Sequence, residues 1–407
     1  MMTERSAAPA RAENEFERFR VEAWIDRLGG FVARHPKFWR SLGDLETRQF
    51  KHALDGISVH APIFICGLAR SGSTILLECL AEHDDTVTHR YRDYPGVLAP
   101  VFWDRVADRL YAQYAAPKER AHGDGIAVTP ESPEAMEEML WMAFNPQCHD
   151  PAQDNTIGRG GIAPEFAEFY GDHIRKLLWL RRGRRYLAKG NYNVARLGGL
   201  IELFPDARFI VPLRDPVAHI ASLMRQHALF CAAETKYPAA LRYMQRVGHF
   251  EFGLDRRPLN LRNHAETAAV LRLWSEGREI EGWSRYWADV HNVLADLLED
   301  DAALRRATLL VPFEALCADP GAMLQRIFSH ADLPADDAWT ARLARRIREP
   351  AHAGFPFDEA AQRTIRRLTA SAAGRIGRLS HSPAPDGPLQ GAMHHNAISR
   401  PGEKTRP

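Results

Sequence analysis

The chain has 407 residues, 45% of them hydrophobic and 26% charged, the balance of an ordinary globular protein with ample material for a core. Its formal net charge is +1, so no global attraction to nucleic acid or to a membrane surface is expected, and any anion site must be local. The five cysteines are scattered and lack metal spacing, the N-terminus has no apolar signal core, and no run reaches about eighteen apolar residues; together these predict a cytoplasmic protein without a transmembrane helix.

Residues 1–14 are expected to be disordered, and 15–57 to form a helical arm in which Phe16, Phe19, Val21, Trp24, Ile25 and Leu28 recur at three- and four-residue steps. One α/β domain is expected over 58–378, with helical insertions at about 101–182 and 226–307, followed by a disordered tail at 379–407. Its first element is the β-type run Ile63 to Cys66. A loop of small residues, Gly67 to Thr74, and the apolar segment Ile75 to Leu80 follow at once. A strand, a loop that gathers backbone N–H groups and a helix N-terminus make a ready anion site. Gly67 and Gly72 satisfy the frame of G-x-x-x-x-G-K-[ST], but Ser73 stands where that signature has its lysine. In nucleoside triphosphatases the lysine reaches the β/γ-phosphates and the next Ser/Thr holds magnesium. A loop without it can still cradle one phosphate or sulfuryl group, with Arg70 as a nearby cation.

Thr86 to Thr88 reads as a second short strand, followed by His89, Arg90, Tyr91, Arg92 and Asp93. Ligands bind beyond the carboxyl ends of strands in doubly wound sheets, so these are site candidates; structural salt bridging competes for Arg90, Arg92 and Asp93. Val101 to Tyr114 is expected to be helical. His122 and Asp124 share the charged stretch Lys118 to Gly125, as an acid/base pair or as parts of a surface loop. Pro130 to Phe144 predicts a helix capped by Ser132, with Pro133 at its first position. Pro164 to Arg181 is a further helix, Tyr186 to Lys189 a strand ending in Lys189, and Ala195 to Phe204 a helix. Arg208 to Leu213 is apolar enough for a strand buried on both faces. Arg214 ends it, and Asp215-Pro216 opens a helix that carries Ser222. Gln226 to Asn263 mixes helix and loop as a cover. Ala265 to Leu298 predicts one long helix, Thr308 to Phe313 a last strand, and Pro320 to Ala331 and Ala338 to Glu349 two more helices. The βα alternation predicts an α/β, three-layer fold whose central, mostly parallel sheet has helices on both faces.

Two segments taken together, GLARSGST after a strand and FPDARFIVPLRDPVAHIASLMR about 130 residues later, resemble the sulfotransferases that use 3′-phosphoadenosine 5′-phosphosulfate (PAPS). The likeness is to the bacterial branch related to tyrosylprotein and carbohydrate sulfotransferases. It implies a P-loop-like fold with PAPS as co-substrate and no metal. Arg70, Ser71, Gly72, Ser73 and Thr74 would hold the 5′-phosphosulfate, and Arg214 and Ser222 the 3′-phosphate. Lys189 fits a lysine that ends the intervening strand in the family, and Phe313-Glu314 stands where a Tyr-Glu pair is common. Ala69 replaces a usual proline, Ser73 a usual threonine, and Gly190 the serine that follows the lysine.

The implied reaction is metal-independent, in-line sulfuryl transfer to an acceptor hydroxyl or amine. Arg70 and Lys189 would stabilise charge on the bridging oxygen. Asp93, 23 residues beyond Arg70, or His122 would take the acceptor's proton. The acceptor could be a small molecule, a glycan, a lipid or a peptide; a nucleic-acid partner is not expected, and a homodimer is compatible with the sequence. Two alternatives compete. A P-loop kinase using ATP and magnesium is opposed by the missing lysine, and a catalytically silent nucleotide-binding protein of the same fold by the pair Arg70 and Arg214.

Overall fold

Five strands, all parallel, form the central sheet in the order β2 (Thr86–Val87), β5 (Arg185–Gly190), β1 (Ile63–Cys66), β6 (Arg208–Leu213) and β7 (Thr308–Pro312). A separate antiparallel hairpin pairs β3 (Lys118–Glu119) with β4 (Ala127–Val128). These elements come from a computed structural model that describes residues 16–114, 116–123, 125–348 and 356–382. The order places β1 at the centre, in register with β5 (Ile65 opposite Lys189) and β6 (Ile65 opposite Ile210). The two strands that flank β1 therefore deliver their carboxyl ends beside the glycine loop.

Alternation along the strands separates two cores. Phe64, Tyr186, Phe209 and Leu310 face the larger one, with apolar residues of helices Pro164–Arg181, Pro216–Lys236, Glu279–Asp300 and Glu359–His381. Ile63, Ile65, Leu187 and Ile210 face the smaller one, with helices Ser73–Ala81, Pro320–His330 and Asp337–Ala344. This is the expected three-layer arrangement. Among the described residues no helix is long and apolar enough to cross a membrane.

The N-terminal arm consists of helices Ala23–Arg34, Pro36–Gln49 and Lys51–Leu54. It is pinned by a fully buried ion pair, Lys176 Nζ to Glu46 at 3.1 Å, and by Lys176 donating to Gly43 O at 3.0 Å. Removing either charge would strand the other in the core, so the pair fixes where the arm lies.

Several expected elements differ. The long helix expected over Ala265 to Leu298 is two helices, His264–Ser275 and Glu279–Asp300, separated at Gly277, which has φ +72°. Leu379 lies within helix Glu359–His381, so the chain is still helical where a disordered tail was expected to start. Residues 130–137 do not begin a helix; only Glu138–Phe144 is helical. The preceding backbone instead pairs with the segment after β2: Tyr91 N donates to Ser132 O (3.1 Å), Arg92 N to Pro130 O (2.9 Å) and Glu134 N to His89 O (2.9 Å). Ser132 Oγ accepts from Thr129 N and caps no helix. Asp124 lies outside the described residues, as do 1–14 and the end of the chain from 383.

Candidate active site

The loop between β1 and helix Ser73–Ala81 turns through three positive-φ residues, Gly67 (+127°), Arg70 (+70°) and Gly72 (+105°). Gly72 is required twice over. Its φ suits glycine, and a Cβ there would lie 2.6 Å from Phe313 Cδ2. Ser71 is buried, and its hydroxyl donates to Leu68 O at 2.7 Å, so it braces the loop and is set back from the cavity wall. Arg70, Ser73 and Thr74 face the cavity.

That cavity has a volume of about 1370 Å³. Sites for one small ligand span roughly 300–1,000 Å³, so there is room for two. The end beside the loop is cationic. Thr74 Oγ1 accepts from Lys189 Nζ at 3.2 Å and from Arg120 Nη1 at 3.1 Å. Burial, above all, lowers the Lys189 pKa; Arg120 and Arg70 push the same way, against Glu134 and Glu251. Arg214, at the end of β6, lines the same cavity and donates from Nη1 to Arg70 O at 3.2 Å. Asp215 caps the next helix, accepting from Val217 N and Ala218 N at 3.0 and 3.1 Å. Two turns along, the buried Ser222 accepts from Arg70 Nε at 3.3 Å. His219 holds the loop from below: Trp287 Nε1 donates to its Nδ1 (3.1 Å), so Nε2 carries the proton and donates to Ala69 O (2.9 Å). Burial pushes the His219 pKa down to about 3.

The residues suggested as bases separate. Asp93 does not face the cavity. It is buried, pairs with Arg181 Nη2 at 2.5 Å, and accepts from Arg90 N at 2.9 Å, with His89 Nδ1 at 3.3 Å. Burial alone would raise its pKa, but Arg181 and His89 hold it well below the carboxylate range. This is the salt-bridging role that competed for it. His122 does line the cavity, against the rings of Phe230 and His249 at 5.3 and 5.5 Å. Burial first, then Arg120, His249, Arg70 and Lys189, pull its pKa well below 6.5.

Two cavity residues escaped sequence reasoning. Arg120 sits at the β3–β4 hairpin, in a stretch whose charge density was visible but whose direction was not. Glu134 falls inside the stretch Pro130 to Phe144 expected to be a helix. It lines the cavity, where Tyr91 hydrogen-bonds to its carboxylate. Burial would raise the Glu134 pKa, yet Lys189, Tyr91 and Arg120 outweigh it, so the group is an ionised carboxylate at neutral pH.

The far end is rich in aromatic and apolar side chains, Ile25 of the arm with Tyr94, Tyr111, Tyr114, Tyr243 and Met244, and also carries charged ones, among them Glu22 and Lys118, whose Nζ lies 5.7 Å from the centre of the Tyr114 ring. Two of these hydroxyls are already engaged: Tyr111 donates to Tyr94 O at 2.8 Å, and Tyr114 accepts from Trp24 Nε1 at 3.1 Å. At the cavity wall, Glu138, which lines it, meets Cys148 and His149 and brings metal-ligand atom types together. Both Glu138 oxygens are occupied by Arg196 at 2.6 and 2.8 Å, which makes this cluster a buried ion pair.

Comparison with known proteins agrees with this geometry. The model of the sulfotransferase family matches residues 62–256, which include the loop, Lys189, Arg214 and Ser222. Two relatives, both named omega-hydroxy-beta-dihydromenaquinone-9 sulfotransferase Stf3, come from Mycobacterium bovis (strain ATCC BAA-935 / AF2122/97) and Mycobacterium tuberculosis (strain CDC 1551 / Oshkosh). Each is 23% identical over 309 residues, covering 71% of this chain and 67% of its own length. The crystal structure of sulfotransferase STF1 from M. tuberculosis H37Rv superposes with a TM-score of 0.50 at 16% identity, over 86% of this chain and 87% of that one, and so shares the fold. Residues 62–256, a little under half of the chain, thus match the sulfotransferase family, and the comparisons together support a sulfotransferase enzyme.

Proposed function

We propose that this sulfotransferase takes its sulfuryl group from PAPS and delivers it by in-line displacement to the hydroxyl of a lipid-like acceptor. One observation carries the donor half. Lys189 and Arg120 converge on Thr74 at the start of helix Ser73–Ala81, and Arg214 and Arg70 meet beside them. Such a cluster suits a compact polyanion with charge at two places. Ser73, in the lysine position of a triphosphate loop, gives no support to the kinase alternative.

PAPS would supply a sulfuryl group on a phosphate leaving group, so that charge grows on the bridging oxygen as the bond breaks. Helix N–H groups, Lys189 and Arg120 stand at the end where that charge would be met. These cations supply the compensation that a metal gives in triphosphate sites, which is why we assign a metal-independent reaction. Arg214 and Ser222 are assigned to the 3′-phosphate; arginine suits it because its planar fork donates paired bonds.

Glu134 is assigned as the base. It is ionised at neutral pH, and an anion bound beside Lys189 would offset the cations that depress its pKa, making it a better proton acceptor when the donor is in place. His122, resisting protonation, is assigned to the wall.

The acceptor half rests on the aromatic end of the cavity, where the Tyr111 and Tyr114 hydroxyls are engaged and those two side chains offer mainly ring faces to a ligand. The relatives' name points to an acceptor of the same kind. All five cysteines are free thiols, in keeping with the cytoplasmic location we assign. The test is transfer of labelled sulfate from PAPS to a cell extract divided into organic and aqueous fractions. Label in an organic-soluble product is expected. Label confined to glycans or peptides would overturn the acceptor assignment.

A further inference from the structure

The N-terminal arm carries a second feature that the reaction does not use. Phe31, Phe38 and Leu45 are 44%, 56% and 48% exposed, three of the six large hydrophobic side chains so exposed among the described residues. Phe31 lies in the last turn of helix Ala23–Arg34, and Phe38 in the first turn of helix Pro36–Gln49. Leu45 follows Phe38 by seven residues and so shares its face of the helix. The opposite face buries Gly43 and Glu46 against Lys176, so the exposed stripe belongs to an anchored helix.

The exposed charges around the stripe are predominantly positive. Arg27, Arg34, Lys37, Arg48 and Lys51 are all exposed. Of the acids in these helices, Asp26 pairs with Arg242 and Arg246, and Glu46 with Lys176; Asp44 alone is exposed. Apolar rings set among cations match the interface of an anionic bilayer, where the rings enter the headgroup region and the cations meet lipid phosphates. The small whole-chain charge of +1 hides this local excess.

The arm also reaches the cavity. Ile25, six residues before Phe31 on the same helix, lines its aromatic end, a rise of about 9 Å along the axis. We infer that Phe31, Phe38, Leu45 and the surrounding cations dock the enzyme on an anionic membrane surface, beside the end of the cavity assigned to the acceptor. The inference rests on the lipid-like acceptor for its purpose, but its test uses no acceptor.

The full chain is sedimented with vesicles of phosphatidylcholine alone and of phosphatidylcholine mixed with phosphatidylglycerol, at low and high salt. Binding to the mixed vesicles is expected, weakened by salt and by omission of phosphatidylglycerol. Arg34→Glu/Lys37→Glu should weaken it by about tenfold or more. Phe31→Ser/Phe38→Ser should do the same, and the milder Leu45→Gln should act in the same direction. Binding of 3′,5′-adenosine bisphosphate should be unchanged in all three, which shows a folded enzyme and keeps this test separate from the donor assignment. Absent vesicle binding, or equal binding by wild type and folded variants, overturns the inference. So does a concentration-dependent dimer, seen by light scattering and dissolved by the same substitutions without vesicle binding, which would give the stripe to a second copy.

Discussion

Arg70 Nε donates to Ser222 Oγ at 3.3 Å, although 152 positions separate the two residues. The contact joins the glycine loop after β1 to the helix after β6, and Arg214 closes the same junction by donating to Arg70 O. Arg70 holds φ +70°, a region that costs a non-glycine residue on the order of 1–3 kcal/mol and persists where surrounding structure enforces it. The loop is thus set by contacts from a distant segment as well as by its own glycines.

Ser222→Ala removes the acceptor for Arg70 Nε. A hydrogen bond to a charged group contributes roughly 1.5–3 kcal/mol to stability, so the melting temperature should fall by a few degrees, and binding of 3′,5′-adenosine bisphosphate should weaken by about tenfold as Arg70 loses its support and the 3′-phosphate its serine. Calorimetric titration of the variant measures this. Unchanged affinity would mean that Arg70 is positioned by other contacts.

Asp93→Asn should act on stability. The substitution leaves Arg181 as a buried cation without its counter-charge, a change that costs about 3–5 kcal/mol. Denaturant unfolding should show this loss. A stable variant with a large fall in turnover would return Asp93 to a catalytic role.

Glu134→Gln keeps the shape of the side chain and removes its basicity. Turnover should fall by about 10²–10⁴-fold, the usual contribution of a positioned base, with bisphosphate binding retained. His122→Gln should have a much smaller effect on turnover. Steady-state rates with PAPS and the fractionated acceptor distinguish the two; a reversed order would make His122 the base.

The sheet was legible because β1, β6 and β7 are short, nearly continuous apolar runs between glycine, proline and charged residues, a pattern that burial on both faces imposes. The loop was legible because glycine spacing constrains backbone directly. Glu134 and Arg120 were not, for a physical reason. Pro130 to Glu137 has the composition of a helix start, but Tyr91, Arg92 and Glu134 donate across a non-local pairing that local propensity does not register. Asp93 illustrates the converse. Its position after a strand suggested a site, whereas the partner that buries its charge, Arg181, comes from a helix 88 positions away. The helix Glu359–His381 went unread altogether, its apolar residues being sparse among arginine and alanine.

His219 gives the loop a pH dependence. Its folded pKa of about 3 lies below the unfolded value of about 6.5, so the unfolded chain binds the extra proton between them. The stabilisation is complete above about pH 6.5 and is lost as pH falls towards 3, by at most about 1.4 kcal/mol per pH unit for this group. Buried His291 and His330, each with a pKa of about 4, add to the slope. His219→Gln should reduce the dependence of unfolding free energy on pH in this window by up to one proton, and an unchanged slope would show that His219 is protonated in the folded chain.

The most direct test of the donor assignment is calorimetric titration of the wild type and of Arg214→Ala with 3′,5′-adenosine bisphosphate, without metal, and in parallel with ATP and magnesium. The expected result is metal-free binding of the bisphosphate by the wild type, a clear loss in Arg214→Ala, and weaker binding of ATP with magnesium. Tight, magnesium-dependent ATP binding without preference for the bisphosphate, insensitive to Arg214, would contradict it.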